Sequence, residues 1–330
     1  MVNGDVLSDV LRAIRLTGAV YFDYELSSPW VAEAPPAAEL SKYVMPGSDR
    51  LIEYHVIARG SCWGHRVGDE PIRLREGDIL VFPQGDPHVL SSYPGMRAEP
   101  DMSAFVQRAG PLPWVFETGG GGPETARVVC GFLGCDDRPF NPLLAALPSV
   151  MHVSAASRPS MSWLRPVIET AVNESRQARA GSENVLARLS ELMFVQVVRE
   201  HLEALPPGAG GWLAALRDPV VSKALIALHS APAQDWTLES LARDVGVSRS
   251  ALADRFATTA GQPPMQYLAS WRMQLASRLL LDGTAVATVA TEVGYDSEAA
   301  FSRSFKRIVG VPPGEWRRTR TAGGAPVDRA

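Results

Sequence analysis

Cysteine is scarce in this sequence, with only Cys62, Cys130 and Cys135 among 330 residues. Three thiols are too few, and odd in number, for the disulfide framework that holds small secreted domains together. There is also no apolar run approaching the roughly 20 residues that a helix needs to cross a bilayer. The amino terminus, MVNGDVLSDVLRAIRL, carries acids and amphipathic spacing where a signal peptide needs a basic start and an apolar core. A cytoplasmic protein without membrane partners is expected. Nor does one sign of charge dominate: 32 Lys and Arg face 36 Asp and Glu, a net charge of −4. That excludes a uniformly basic coat for nucleic acid. With 46% hydrophobic and 21% charged residues, the chain is globular in composition and long enough for two cores.

What the sequence does contain is one pattern written twice. LARDVGVSRSALADRFATTAGQPP runs from Leu241 to Pro264, and VATEVGYDSEAAFSRSFKRIVGVPP from Val289 to Pro313. Aligning Gly246 with Gly294 brings Val245 onto Val293, and one extra residue in the second copy brings Phe256 onto Phe305 and Gly261 onto Gly310. Each copy reads as helix, tight turn, helix. Leu238, Leu241, Ala242 and Val245 form the first apolar stripe, and Ser248 offers a hydroxyl cap to a second helix with Leu252 and Phe256 inward. In the second copy the stripe is Val286, Val289, Ala290 and Val293, the cap is Asp296 or Ser297, and Phe301, Phe305 and Ile308 face inward. Between the copies, Leu268, Trp271, Leu275 and Leu279 lie at helical spacing on one helix over 265–281. Such a helix would hold two recognition helices rigidly apart, as successive major grooves about 34 Å apart require.

The segment Trp236–Arg318, including YLASWRMQLASRLL and GYDSEAAFSRSFKRIVGVPPGEWRR, resembles the paired helix-turn-helix DNA-binding domain of the AraC/XylS family of bacterial transcriptional regulators. The resemblance implies that Arg249, Ser250, Ala253 and Asp254 face double-stranded operator DNA in the first unit. It implies the same for Glu298, Ala299, Ser302, Arg303 and Lys306 in the second. Arg303 suits a bidentate contact to guanine, Glu298 suits cytosine N4, and Lys306 suits phosphate. Ala253 and Asp254 are poor base donors, so the first unit is expected to read its half-site weakly or through DNA shape. Charge is distributed in the same sense. Residues 218–330 hold 13 Lys and Arg against 11 Asp and Glu, whereas residues 1–217 hold 19 against 25.

Upstream of this region the text changes to short apolar segments broken by Gly, Pro and Asp: AVYFDYEL, LIEYHVIA, PIRLREGDILVFP, HVLSS and ARVVCGFLG. That is an all-β pattern. GDILVFPQGDPH, Gly77 to His88, resembles the second motif of the cupin barrel, and Glu53 with Gly60 matches the end of the first. The two histidines that should precede Glu53 are absent, which puts the usual cupin metal and any cupin enzyme activity in doubt. His55, two residues on along the same strand face, is a substitute or a structural histidine. Cys130 and Cys135 bracket a Gly-Phe-Leu-Gly turn, and together with Cys62 and His88 they would make a Cys3His set suited to zinc. The alternatives are three unconnected reduced thiols and a thiol redox sensor. Trp63 and Trp114 are candidates for a pocket wall or for core.

The expected architecture is α+β and multidomain. A cupin-like sensor and dimerisation domain spans 1–205, with its barrel at about 17–155 and helices at about 159–204. A linker at 206–211, rich in Pro and Gly, leads to an all-α domain with two helix-turn-helix units at 212–320, and the tail 321–330 is expected to be disordered. The amphipathic helices Met161–Ala180 and Glu183–Ala204 either pack on the barrel or, as the resemblance implies, make a homodimer contact. The function expected is a one-component regulator, not an enzyme, responding to an unassigned effector and, if an activator, contacting RNA polymerase. The competing readings are a metal-dependent cupin enzyme fused to a DNA-binding domain and a zinc or thiol sensor.

Overall fold

The structure is a computed structural model that describes residues 4–14, 16–106, 112–135, 139–154, 163–177, 179–206 and 208–323. It divides into two compact units. One comprises residues 16–135 and 147–203; the other comprises 1–15, 136–146 and 204–330.

The first unit holds the strands β1 (Thr17–Ser27), β2 (Val31–Ala34), β3 (Arg50–Arg66), β4 (Ile72–Arg75), β5 (Ile79–Phe82), β6 (His88–Ser91), β7 (Trp114–Gly119), β8 (Thr125–Cys135) and β9 (Met151–Val153). Their neighbour order is β2-β6-β3-β8-β1-β7, with β4 and β5 also on β3, and β9 on β5. Strand β3 organises the unit because it serves two sheets. Residues 50–60 pair with β8 and partly with β5, whereas residues 61–66 pair with β4 and β6. The change falls at Gly60, whose φ of 76° is costly for any other residue and whose Cβ would stand 2.2 Å from the Thr125 carbonyl. Inward side chains such as Phe22, Leu51, Ile57, Leu74 and Phe82 build the core, and each is worth roughly 1.5–3 kcal/mol when fully buried.

Helices α2 (Ala37–Val44), α3 (Ser103–Val106), α5 (Leu164–Gln177) and α6 (Ser182–Ala204) belong to this unit. Helix α6 packs on the sheet: Leu186, Met193, Phe194 and Val197 are buried, and its Ser190 hydroxyl lies 2.5 Å from the Tyr54 hydroxyl of β3. Residues 155–162, where the first of the two expected helices begins, lie outside the described residues. Periodicity overlooked β2 and β7. The first is only four residues long, and β7 has no buried stripe beyond alternate half-buried positions.

The second unit is helical. It contains α1 (Val6–Ala13), α4 (Pro142–Ala146), α7 (Trp212–Ala215), α8 (Val221–Ser230), α9 (Leu238–Val245), α10 (Arg249–Ala260), α11 (Pro264–Leu281), α12 (Val286–Glu292), α13 (Glu298–Val309) and α14 (Pro313–Gly323). The compact units therefore do not follow a single cut near residue 205, because two segments from the first half of the chain pack among the later helices. Buried Gln274 of α11 explains how. Its amide nitrogen donates to the Ala13 carbonyl at 3.2 Å, and its amide oxygen accepts from the Phe140 backbone N–H at 3.0 Å. Arg278, one turn on, donates to the Arg12 carbonyl at 2.7 Å. The apolar side of α1 (Val6, Val10 and Ala13) is buried in the same place. The expected tail at 321–330 begins as the last turn of α14, and residues 324–330 lie outside the described residues.

Candidate nucleic-acid interface and ligand cavity

Both copies of the repeated pattern form a helix-turn-helix. In the first, Thr237 and Ser240 close a reciprocal capping box at the start of α9, and Gly246 ends it in the left-handed region at φ 77°. Ser248 then caps α10 by accepting from the Ala251 N–H at 3.2 Å. In the second, the turn glycine is Gly294 at φ 80°, and Ser297 rather than Asp296 caps α13, accepting from the Ala300 N–H at 3.2 Å. Leu252 and Phe256 of α10, and Phe301 and Phe305 of α13, are fully buried. Helical spacing then turns the positions two residues before each of these, Ser250, Asp254, Ala299 and Arg303, outward, and all four are exposed. Trp271, Met273 and Leu280 of α11 are buried as the scaffold between the two units.

The outward faces carry the residues expected to meet DNA. Arg249, Ser250 and Asp254 of α10 are exposed, as are Glu298, Ala299, Arg303 and Lys306 of α13, while Ala253 and Ser302 are half-buried. Arg307, not among the expected contacts, is exposed next to Lys306. The two faces differ in charge: α13 offers Arg303, Lys306 and Arg307 beside Glu298, whereas α10 offers Arg249 beside Asp254, its Arg255 being held by Asp218 at 2.8 Å. A local cationic face of this kind attracts duplex phosphate irrespective of the net charge of the chain.

The first unit carries a different kind of site. Cross-strand register sets Glu53 of β3 opposite Phe132 of β8, and sets His55, Cys130 and Phe22 side by side across β3, β8 and β1. These alternate positions share one face, and that face lines a cavity of about 530 Å³. His88, at the end of the second cupin-like motif, reaches the same cavity with its ring stacked on Phe82 at a centroid distance of 3.8 Å.

The protons in this cluster can be placed. The Asp86 carbonyl only accepts, so His88 Nδ1, 2.9 Å away, carries a proton. His88 Nε2 is then bare and accepts from His55 Nε2–H at 2.7 Å. That leaves His55 Nδ1 to accept from the Cys130 thiol at 2.8 Å. The acidities agree. Burial holds His55 well below the ordinary imidazole range and His88 down to about 4, so both rings are neutral. Burial likewise pushes Cys130 well above the ordinary thiol range and Cys62 up to about 12. Glu53 stands outside this chain of bonds. Its Oε2 is 3.9 Å from His88, its Oε1 has no partner, and burial raises it to about 8.

The expected Cys3His set is not brought together. Cys130 and Cys135 do not bracket a turn; both lie in β8, which pairs continuously with β1 and β3 through Gly131 to Gly134. Five residues along a strand place their side chains on opposite faces and about 17 Å apart. Cys62 pairs opposite Leu74 and packs in the core. Among the described residues no group of three or more His, Cys, Asp or Glu is arranged to hold a metal ion. His55 is the residue that shares the cavity with His88. Neither Trp63 nor Trp114 lines it: Trp63 carries the Arg73 guanidinium over its ring, and Trp114 packs on the core through Phe22. The cavity residues Phe22, Tyr24, Phe116 and Phe132 have a period-two signal in the sequence, yet nothing short of strand register says that they converge.

Two helix-turn-helix units on a common scaffold helix, carried in one chain with a β-unit that encloses a cavity, define a DNA-binding transcriptional regulator. Family comparison agrees. A profile described as Cupin matches residues 5–203, and one described as Helix-turn-helix domain matches residues 241–319. The chain is 38% identical over 283 residues to an AraC-like transcription regulator of Streptomyces lividans, covering 82% of this chain and 88% of the relative. It is 36% identical over 328 residues to another from Streptomyces antibioticus, covering 95% and 98%. The HTH-type transcriptional regulator AlkR of Acinetobacter baylyi is 29% identical over 316 residues, covering 95% and 99%. The chain belongs to the family of AraC-like transcription regulators with a cupin-type amino-terminal domain.

Proposed function

We propose that this regulator is a one-component sensor, in which a small organic effector occupies the β-unit cavity and alters operator binding by the helical unit. The observation that carries this reading is the cavity itself: about 530 Å³, walled by aromatic side chains and closed at one end by buried polar groups. A concave space of this size with a largely apolar lining and a few convergent polar groups suits a small organic molecule. The effector acts through its different affinities for two states of the chain. The route is covalent: β1 begins just after α1, and β8 ends just before the segment 139–146, and both α1 and that segment are held by Gln274 of the DNA-binding unit.

The operator is read chiefly by α13, with Arg303 on guanine, Glu298 on cytosine, and Lys306 on phosphate. Arg249, Ser250, Ala253 and Asp254 of α10 form the weaker reader. Homodimerisation raises the affinity of such an unequal pair by effective concentration. Val185 and Leu192, 41% and 43% exposed and seven residues apart on α6, support that helix as the contact. No described helix is long and apolar enough to cross a membrane, and a regulator of this kind works in the cytoplasm, in contact with RNA polymerase where it activates. The protein acts without turnover of its own.

Selection of bound duplexes from a random pool, followed by affinity measurement on the selected sequence, tests the DNA part. Arg303→Ala should weaken specific binding by about 1–3 kcal/mol and relax the preference at one base pair. Unchanged affinity and preference would remove Arg303 from the readout.

A further inference from the structure

The cavity also says what class of molecule it takes. Its polar end is nearly self-sufficient, since the Asp86 carbonyl, His88, His55 and Cys130 satisfy one another in sequence. One group is left over. Glu53 is 2% exposed, lines the cavity, and presents an Oε1 with no hydrogen-bond partner. A buried carboxyl left unmatched in this way is costly, so a retained one calls for a complementary partner.

The charge of the walls narrows the choice. Glu33, Glu53, Glu99 and Asp101 line the cavity, whereas among the described residues no Lys or Arg lines it. Glu33 is already engaged by Arg97 at 2.6 and 2.7 Å. Both histidines in the cavity are neutral by the proton placement above. Among the described residues an anionic ligand therefore finds no counter-ion and meets carboxylates. A cation finds the reverse.

The remaining walls reinforce the preference. Phe22, Tyr24 and Phe116 form a mutual cluster, with Tyr24 stacked on Phe116 at a centroid distance of 4.9 Å and Phe22 at 5.6 Å from Tyr24. Phe105 meets Phe22 edge to face at 5.2 Å, and Trp30 and Phe132 complete the lining. Aromatic faces carry partial negative charge and attract ammonium groups most strongly where water is excluded. They also accept a large apolar body.

We propose that the β-unit cavity is the binding site for a lipophilic organic cation, an ammonium group on an apolar or aromatic body, with Glu53 as its counter-ion. The assignment rests on the effector-cavity reading above and supplies the chemistry of the effector. Glu53 pairs with the ammonium at the deep end, and the aromatic cluster encloses the body. The cationic character of the ligand is what separates this site from an ordinary apolar pocket, which would take alcohols and carboxylic acids of the same shape.

The test uses three probes with one body: 1-naphthylmethylamine, 1-naphthylmethanol and 1-naphthoic acid. Binding to the full chain is measured by calorimetry and by thermal shift at pH 7.5, for the unaltered protein, Glu53→Gln and Phe116→Ala. The expected result is that the amine binds at least tenfold more tightly than the alcohol, with no binding of the acid. Glu53→Gln should then cost the amine at least tenfold and leave the alcohol within about twofold, while Phe116→Ala weakens both. Glu53→Gln keeps side-chain size, so its thermal transition also reports whether the variant folds. Alcohol or acid bound as tightly as the amine, with sensitivity to Phe116→Ala, overturns the cationic assignment and leaves the effector cavity standing. Amine affinity unchanged in folded Glu53→Gln also overturns it. No binding by any of the three at millimolar concentration removes both the cation and the cavity reading.

Discussion

The two functional regions of this protein treat charge in opposite ways. On α13, Arg303, Lys306 and Arg307 stand exposed on a helix whose other side, Phe301 and Phe305, holds the core. In the β-unit, Glu53 is sealed in at 2% exposure with an oxygen unmatched. The first arrangement costs the fold almost nothing, because water solvates the charges until phosphate replaces it. The second holds an ionisable group where its charged form is disfavoured, and the cost stays in the folded state until a partner arrives. A surface reader can thus be altered without loss of stability, while a buried receptor stores part of its binding energy as instability.

The sharpest way to break that contrast is to remove the stored cost. Glu53 is raised to about 8 by burial, against 4.5 as its ordinary value. Between those values the folded state binds a proton that the unfolded state has lost, so stability falls as pH rises through the window. Glu53→Gln should stabilise the protein by roughly 2–4 kcal/mol at pH 7.5 and flatten the decline between pH 4.5 and 8. Urea unfolding at three pH values measures this; a variant less stable at pH 7.5 would show that Glu53 is already compensated. Arg303→Ala is the matching change on the surface. Its effect belongs in operator affinity, and its unfolding free energy should stay within about 0.5 kcal/mol of the parent.

Smaller effects sharpen the comparison within the helical unit. Ser297 caps α13 through the Ala300 N–H, as Ser248 caps α10 through the Ala251 N–H. Each Ser→Ala change should cost about 1 kcal/mol in chemical denaturation. If α13 is the principal reader, Ser297→Ala also weakens operator binding more than Ser248→Ala does. The smallest effect is expected for Lys306→Ala, which should lower the slope of log affinity against log salt by about one and weaken all DNA sequences alike. A change confined to one base pair would reassign Lys306 to base readout.

Much of the helical unit was legible because its determinants are local. The turn glycines, the serine caps and the inward Phe256 and Phe305 all fall within about a dozen consecutive residues of each copy. A repeated pattern therefore reads directly as a repeated structure. What escaped was the participation of α1 and the segment 139–146, since nothing near Gln274 in the chain indicates that it bonds Ala13 and Phe140, more than 130 residues distant.

In the β-unit the balance is reversed. The sequence alone identified the second cupin-like motif, His88 at its end and a strand-rich region around it. It placed Cys130 and Cys135 around a turn, where the structure has one continuous strand, because Gly131 and Gly134 look like turn residues. Register decided the rest. Glu53, His55, Phe22 and Cys130 meet only because β3, β8 and β1 pair as they do, and a slip of one residue would turn each of those side chains to the opposite face. The DNA-reading surface is thus a property of helices whose faces follow from spacing along the chain. The cavity is a property of strand pairing between distant segments, which spacing along the chain leaves undetermined.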